Sequence, residues 1–260
     1  MRAVGVHEDV LVVTSQIWRT TCTALRAGGE GFLVDSPVLP AELEALPALL
    51  EQAGFPVSGL LATHADWDHL LGRLAFPQSA LGVGETTAAR LRAEPGDGQR
   101  KLREFDETWY LERRAPLSLG DVQALPVPGH VELGGQDLEL HPADGHTTDG
   151  MAVWAPWAGV LCAGDYVSPV EIPMLSAGGS LDAYLATLER LRPLVQGAEA
   201  VVPGHGGALD STQALALLDE DRTYLEALAR DGASAALPTG RVTAAQRSIH
   251  ADNVARLGAG

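Results

Sequence analysis

Cysteine is almost missing: Cys22 and Cys162 are the only two in 260 residues. A pair so far apart excludes a disulfide framework and a thiolate zinc site, and it fits a reducing compartment, taken here as the cytoplasm. Basic residues are scarce as well, 18 Lys and Arg against 34 Asp and Glu, for a formal charge of -16. Such a chain repels nucleic-acid phosphates and anionic membranes at long range, so neither is an expected partner. Long apolar runs are also lacking. None reaches the roughly 18 residues that a membrane span needs, and the opening MRAVGVHEDV has no apolar signal core.

What is present is a 46% hydrophobic content, enough for a chain of this length to bury a large core. We expect one unit over residues 1–260. Short β-rich runs predict strands at Val10–Ser15, Thr20–Arg26, Gly31–Val34, Gly59–Thr63, Ser79–Val83, Leu138–His141, Met151–Trp154, Gly159–Ala163 and Ala200–Val202. Apolar spacing predicts helices over Pro40–Gln52, Ser180–Gly197, Thr212–Arg230 and Thr243–Leu257. Pro47 is expected to kink or split the first of these. Ser180 is placed to cap the second, and Thr243 with Gln246 has capping-box spacing in the last. Strands first and then strands mixed with helices predict a layered α/β sandwich. Residues 85–114, charged and helical with Trp109 and Tyr110, stand out as an inserted cap.

The chemistry concentrates in THADWDHLLG, residues 63–72, which sets His64, Asp66, Asp68 and His69 within six positions. The loop follows an apolar run, as three other polar residues do or nearly do: His146 in PADGHTTDG, Asp165 in VLCAGD and His205 in VVPGH. Side chains at the carboxyl ends of neighbouring strands converge on one crevice even when distant in sequence. Four imidazoles and three carboxylates suit zinc, iron or manganese better than calcium. Seven ligands are too many for one tetrahedral ion but right for two sharing a bridging carboxylate.

The order of these motifs resembles the metallo-β-lactamase superfamily. The resemblance rests on Asp35 in GFLVDSP, HADWDH at His64–His69, GHT at Gly145–Thr147, GD at Gly164–Asp165 and PGH at Pro203–His205. It implies a four-layer αββα sandwich and two divalent metal ions, zinc first, with iron or manganese as alternatives. One ion would be held by His64, Asp66 and His146, the other by Asp68, His69 and His205, with Asp165 between them and Asp35 orienting the loop from behind. Asp68 would also be the proton acceptor for the attacking water. Tyr166, next to Asp165, is a candidate oxyanion donor by adjacency alone.

Asp66 departs from the pattern, because the family's H-x-H-x-D-H loop has a second histidine there. A carboxylate still coordinates zinc at about 2.0–2.2 Å, but it is harder, shorter and negatively charged. Restoring histidine is expected to raise zinc occupancy; the competing role for Asp66 is a cap on a helix starting near Trp67.

The resemblance implies a metal-dependent hydrolase of a small ester, thioester or lactone, in which the ions lower the pKa of a bridging water from about 15.7 to about 7 and give hydroxide at neutral pH. The alternatives are a diiron oxidoreductase, since the flavodiiron branch has a carboxylate at position 66, and a scaffold that has lost its chemistry. The expected partner is a small-molecule substrate, selected by residues 85–110 with Trp18 and Arg19; a homodimer is the one protein partner entertained. The remaining histidines, His7, His130, His141 and His250, are expected outside the site, although VPGH at 127–130 imitates VPGH at 202–205.

Overall fold

The computed structural model describes residues 1–258. They form twelve strands in two sheets and seven α-helices. The first sheet follows chain order: β1 (Arg2–His7), β2 (Val10–Thr14), β3 (Thr21–Ala27), β4 (Glu30–Asp35), β5 (Gly59–Ala62), β6 (Ala80–Gly84) and β7 (Val122–Leu125). Its first four strands pair antiparallel and the last three extend it in parallel. The second sheet has the order β12 (Ala200–Pro203), β11 (Val160–Gly164), β10 (Met151–Ala155), β9 (Gln136–Pro142) and β8 (Gly129–Leu133), with only β11 and β12 parallel.

Three apolar layers hold the sheets and helices together. Between the sheets, Val10, Val12, Leu25, Val34 and Leu61 meet Leu138, Leu140, Met151, Val153 and Val202. On the outer face of the first sheet, Leu33, Leu60, Leu81 and Val83 pack with Leu46 and Leu50 of α1 (Pro40–Ala53) and Ala88 of α3 (Glu85–Ala93). On the far side, Ala152, Leu161, Ala163 and Val201 pack with Tyr184, Leu188, Leu191 and Val195 of α5 (Leu181–Gly197) and Leu218 and Leu225 of α6 (Ser211–Asp231). Helix, sheet, sheet, helix is the αββα order. No helix among the described residues is long and apolar enough to cross a membrane.

Local signals account for most elements. Helix α1 begins on Pro40, where a missing N–H costs nothing, and ends at Gly54, whose φ of 76° places it in the left-handed region. Pro47 neither splits nor ends it; the flanking Leu46 and Leu50 are fully buried and hold the turn against the sheet. Ser180 caps α5 by accepting from Ala183 N–H at 3.3 Å. In α7 (Ala244–Gly258) the expected capping box is half made. Thr243 accepts from Gln246 N–H at 3.3 Å, but the Gln246 side chain leaves the helix and accepts from Ile172 N–H at 2.7 Å.

Strands β1, β7 and β8 are additions to the expected set. Their residues are largely exposed or half-buried, so they carry little of the apolar alternation that marks a strand in sequence. No long helix follows THADWDHLLG. A single 3-10 turn, Trp67–His69, leads into the four-residue α2 (Gly72–Ala75). Between β6 and β7 the chain makes α3 and α4 (Asp97–Trp109).

Candidate metal centre

The site lies where both sheets present the carboxyl ends of strands. Strand β5 leads into His64 and β11 into Asp165, β12 ends just before His205, and His146 lies on the loop between β9 and β10. The two layers are tied at this end. Thr21 N–H donates to Gly204 O at 2.8 Å, Thr21 Oγ1 donates to Pro203 O at 2.6 Å, and Met151 N–H donates to Thr63 O at 2.8 Å.

Asp165 is the hub. Its Oδ2 lies 3.7 Å from His64 Nε2, 3.4 Å from His146 Nε2 and 3.6 Å from His205 Nε2, and its Oδ1 lies 3.2 Å from His69 Nε2. Three of the four imidazoles have their other nitrogen hydrogen-bonded, and the fourth, His69, has its own set close to a carboxylate. His64 Nδ1 is 3.0 Å from Thr63 Oγ1, which itself donates to Asp35 Oδ2 at 3.0 Å. His69 Nδ1 is 3.0 Å from that same Asp35 oxygen. His146 Nδ1 donates to Met174 O at 2.7 Å, and His205 Nδ1 to Trp18 O at 3.1 Å. In the neutral ring, a proton held on Nδ1 leaves the lone pair on the inward-facing Nε2.

Those inward atoms are the clearest sign that the site fits a cation. The Nε2 atoms of His64, His69 and His146 are buried and make no hydrogen bond, a costly arrangement for polar groups in a protein interior. Two ligand triads surround them. His64, Asp66 and His146 offer ligand atoms all within 4.8 Å of one another, and so do Asp68, His69 and His205. His64, His69 and Asp165 form a third such group. The nitrogen and carboxylate oxygen donors fit a borderline divalent cation in chemistry and in number.

Electrostatics point the same way. Burial opposes charge on Asp165, yet the imidazoles of His205, His69 and His64 hold its carboxyl well below the usual range. Burial likewise opposes charge on His146 and His205, but Asp66 and Asp165 push the first up to about 9, and Asp165 and Glu171 push the second up to about 10. Buried carboxylates set against buried imidazoles are the kind of donor set from which a cation can displace protons.

The family model of the metallo-beta-lactamase superfamily matches residues 17–205, an interval that contains every residue of the two triads. The chain belongs to the metallo-beta-lactamase superfamily. A metallo-beta-lactamase type 2 of Bacillus sp. (strain 170) is 27% identical over 169 residues, covering 63% of this chain and 57% of the relative; one of Bacteroides fragilis is 29% identical over 37% of this chain and 46% of the relative. The chain thus matches about half the length of these curated relatives. Among solved structures, a metallo-beta-lactamase family protein of Thermus thermophilus aligns with a TM-score of 0.67 and 23% identity, covering 88% of this chain and 85% of that one. A metallo-beta-lactamase from Pontibacter korlensis aligns with a TM-score of 0.62 and 21% identity, covering 84% and 98%.

The superfamily's motif glycine in PGH has a physical cause here. A Cβ at Gly204 would stand 2.1 Å from Asp165 Oδ1 and 2.9 Å from His69 Cε1. Gly204→Ala is therefore expected to displace the hub carboxylate and lower metal content, with secondary structure retained; circular dichroism beside elemental analysis of the purified variant tests this. Asp35 takes a left-handed φ of 57°, uncommon outside glycine though less so for aspartate. From there it also accepts from Thr63 N–H at 2.8 Å, and so it serves both His69 and, through Thr63, His64.

Two sequence readings change. Tyr166 is not free to be an oxyanion donor. Its single hydroxyl proton is directed at the carbonyls of Asp144 (2.8 Å) and Ala143 (3.2 Å), while its oxygen accepts from His146 N–H at 3.1 Å. It fastens the His146 loop from beneath. Asp66 precedes the 3-10 turn, but its side chain makes no capping hydrogen bond; one oxygen faces the histidines and the other pairs with Arg90. Arg90 and its second partner Asp149 were not singled out from sequence. The other histidines lie elsewhere: His130 is exposed on β8, His141 pairs with Glu139, His250 with Tyr224, and His7 accepts from Asp9 N–H.

Proposed function

We propose that the chain is a metal-dependent hydrolase of a small ester, thioester or lactone, with two divalent ions, zinc foremost, held by His64, Asp66 and His146 and by Asp68, His69 and His205 around Asp165. The observation that carries this reading is the convergence of four imidazole Nε2 atoms, at 3.2–3.7 Å, on the one Asp165 carboxylate. Bound ions of this kind lower the pKa of a coordinated water and polarise a carbonyl oxygen.

The protein's own groups do the rest. Asp68 is buried, with Oδ2 3.4 Å from His205 Nε2 and 3.8 Å from His69 Nε2. With that oxygen on the cation side, Oδ1 takes the proton from the attacking water and returns it to the leaving group. Thr63, Met174 and Trp18 hold three of the imidazoles in the tautomer that presents Nε2, and Asp35 stands 3.0 Å from Nδ1 of the fourth, His69. Substrate choice falls to an aromatic wall beside His205 in which Trp18, 41% exposed, stands 5.6 Å from Trp67 and 5.0 Å from Phe105 of α4, ring centre to ring centre. Such a wall favours an apolar or aromatic acyl or ring portion next to the scissile carbonyl. Arg19, the neighbour of Trp18 on the same loop, is exposed and remains a candidate for an acidic group on the substrate.

Elemental analysis of the purified protein, followed by a panel of aryl and alkyl esters, thioesters, lactones and phosphodiesters, tests the proposal. The expected result is close to two zinc ions per chain, turnover of a carboxylic substrate that stops with a chelator and returns with zinc, and a KM that rises in Trp18→Ala with kcat little changed. Activity indifferent to chelation would overturn it. Iron bands in the absorption spectrum without hydrolysis would favour the oxidoreductase reading instead.

A further inference from the structure

The carboxylate that replaces the superfamily's histidine does not stand alone. Arg90, on α3, is only 9% exposed at its side chain and sets one fork nitrogen 2.8 Å from Asp66 Oδ1 and the other 2.8 Å from Asp149 Oδ1. Asp149 is fully buried and spends its second oxygen on Ala65 N–H at 2.9 Å, the peptide between His64 and Asp66. The remaining oxygen of Asp66, Oδ2, faces His146 Nε2 at 3.5 Å and His64 Nε2 at 3.8 Å.

We propose that Arg90 is a positioning residue that makes Asp66 a one-oxygen, partly charge-compensated metal ligand. This role rests on the proposed ligation by Asp66 and goes beyond it. A free carboxylate differs from imidazole in two ways that matter to a metal: it adds a negative charge, and it can chelate through both oxygens, which suits harder ions of higher coordination number. The guanidinium offsets the first difference in part and removes the second. Arg90 divides its single positive charge between Asp66 and Asp149, with Glu94 Oε2 a further 3.4 Å from its Nε, so it compensates part of the charge that Asp66 adds, and with Oδ1 occupied only Oδ2 remains to coordinate. A planar five-donor fork can hold two carboxylates in fixed directions, which a lysine ammonium cannot. Its tie through Asp149 to the peptide of Ala65 sets how far Asp66 reaches toward the cation. The gain in zinc first expected from Asp66→His is accordingly reassigned: alone, that change would set an imidazole against a buried guanidinium, and the gain belongs to Asp66→His combined with Arg90→Met.

The test is metal selectivity. Chelated wild-type protein and Arg90→Met would be titrated with zinc alone and with manganese alone against a chromophoric chelator, with metal content checked by elemental analysis. The expected result is that Arg90→Met weakens zinc at one of the two sites by about 10–100-fold, the scale at which partners behind the ligands act. Manganese weakens less, so the zinc-to-manganese preference falls; Asp66→His should likewise lose zinc and regain it in the double variant. An unchanged preference in Arg90→Met would overturn the assignment. Should that variant fail to fold, Arg90→Lys takes its place: it keeps the charge but not the fork, and an unchanged preference there counts equally against it. Asp66→Ala separates the two levels. Wild-type zinc content in Asp66→Ala would remove the ligand reading beneath; loss of one ion there with no change in Arg90→Met would sink only the role of Arg90.

Discussion

Alanine in place of His146 is expected to abolish metal-dependent turnover, by more than the roughly 100-fold that loss of a group behind a ligand produces, while His130→Ala leaves activity intact. Both histidines follow a glycine in the sequence, and only the fold separates them. His146 is buried, locked through Nδ1 to Met174 O at 2.7 Å, and set 3.5 Å from Asp66 and 3.4 Å from Asp165. His130 is an exposed strand residue opposite Glu139. Loss of His146 removes one of the three donors of a triad and leaves Asp66 without a partner that helps hold its carboxyl ionised. Turnover assays of the two variants side by side, each with its zinc content measured, check this. Equal activity in both would place the reaction elsewhere in the molecule.

Asp165→Asn is expected to have the largest effect of any isosteric change. The substitution alters the side chain by one atom, yet it replaces an oxygen that faces imidazoles with an amide that donates hydrogen bonds. All four inward nitrogens lie within 3.7 Å of this carboxylate, which places it between the two triads. Neutralising it removes the charge that two cations would share and that keeps His205 protonated in their absence. Metal content is expected to fall from near two to one or fewer per chain, and turnover to drop by at least as much as in His146→Ala. A variant that keeps two ions by elemental analysis would show that Asp165 does not bridge them.

Much of this was legible in sequence because it depends on strand ends. Apolar β-rich runs located β5, β11 and β12 to within a residue or two, and polar residues just beyond such runs emerge on one side of a sheet for reasons of topology. Asp35 could be foreseen through the resemblance and proved to serve His69 directly. Tyr166 departs from its sequence expectation, since adjacency along the chain says nothing about which face of a turn a side chain takes: the hydroxyl runs beneath the His146 loop. Arg90 left no trace. It sits in ETTAARLRAE, a charged helical stretch with the composition of any solvated surface, and only the crossing of α3 over the loop brings it to Asp66 and Asp149. The exposed strands β1, β7 and β8 were missed for a related reason, because half-buried edges carry too little apolar patterning to be seen.

The proposed ligands divide between the two sheets: His64, Asp66, Asp68 and His69 descend from β5 of the first, while His146, Asp165 and His205 belong to loops and strand ends of the second. Any cation bound among them therefore acts as a rivet through the seam of the sandwich, doing for a chain without disulfides what a cross-link does elsewhere. Rigidity and reactivity then draw on the same few atoms. On the proposed ligation, removing the metal is expected to loosen the architecture in the same step that stops turnover.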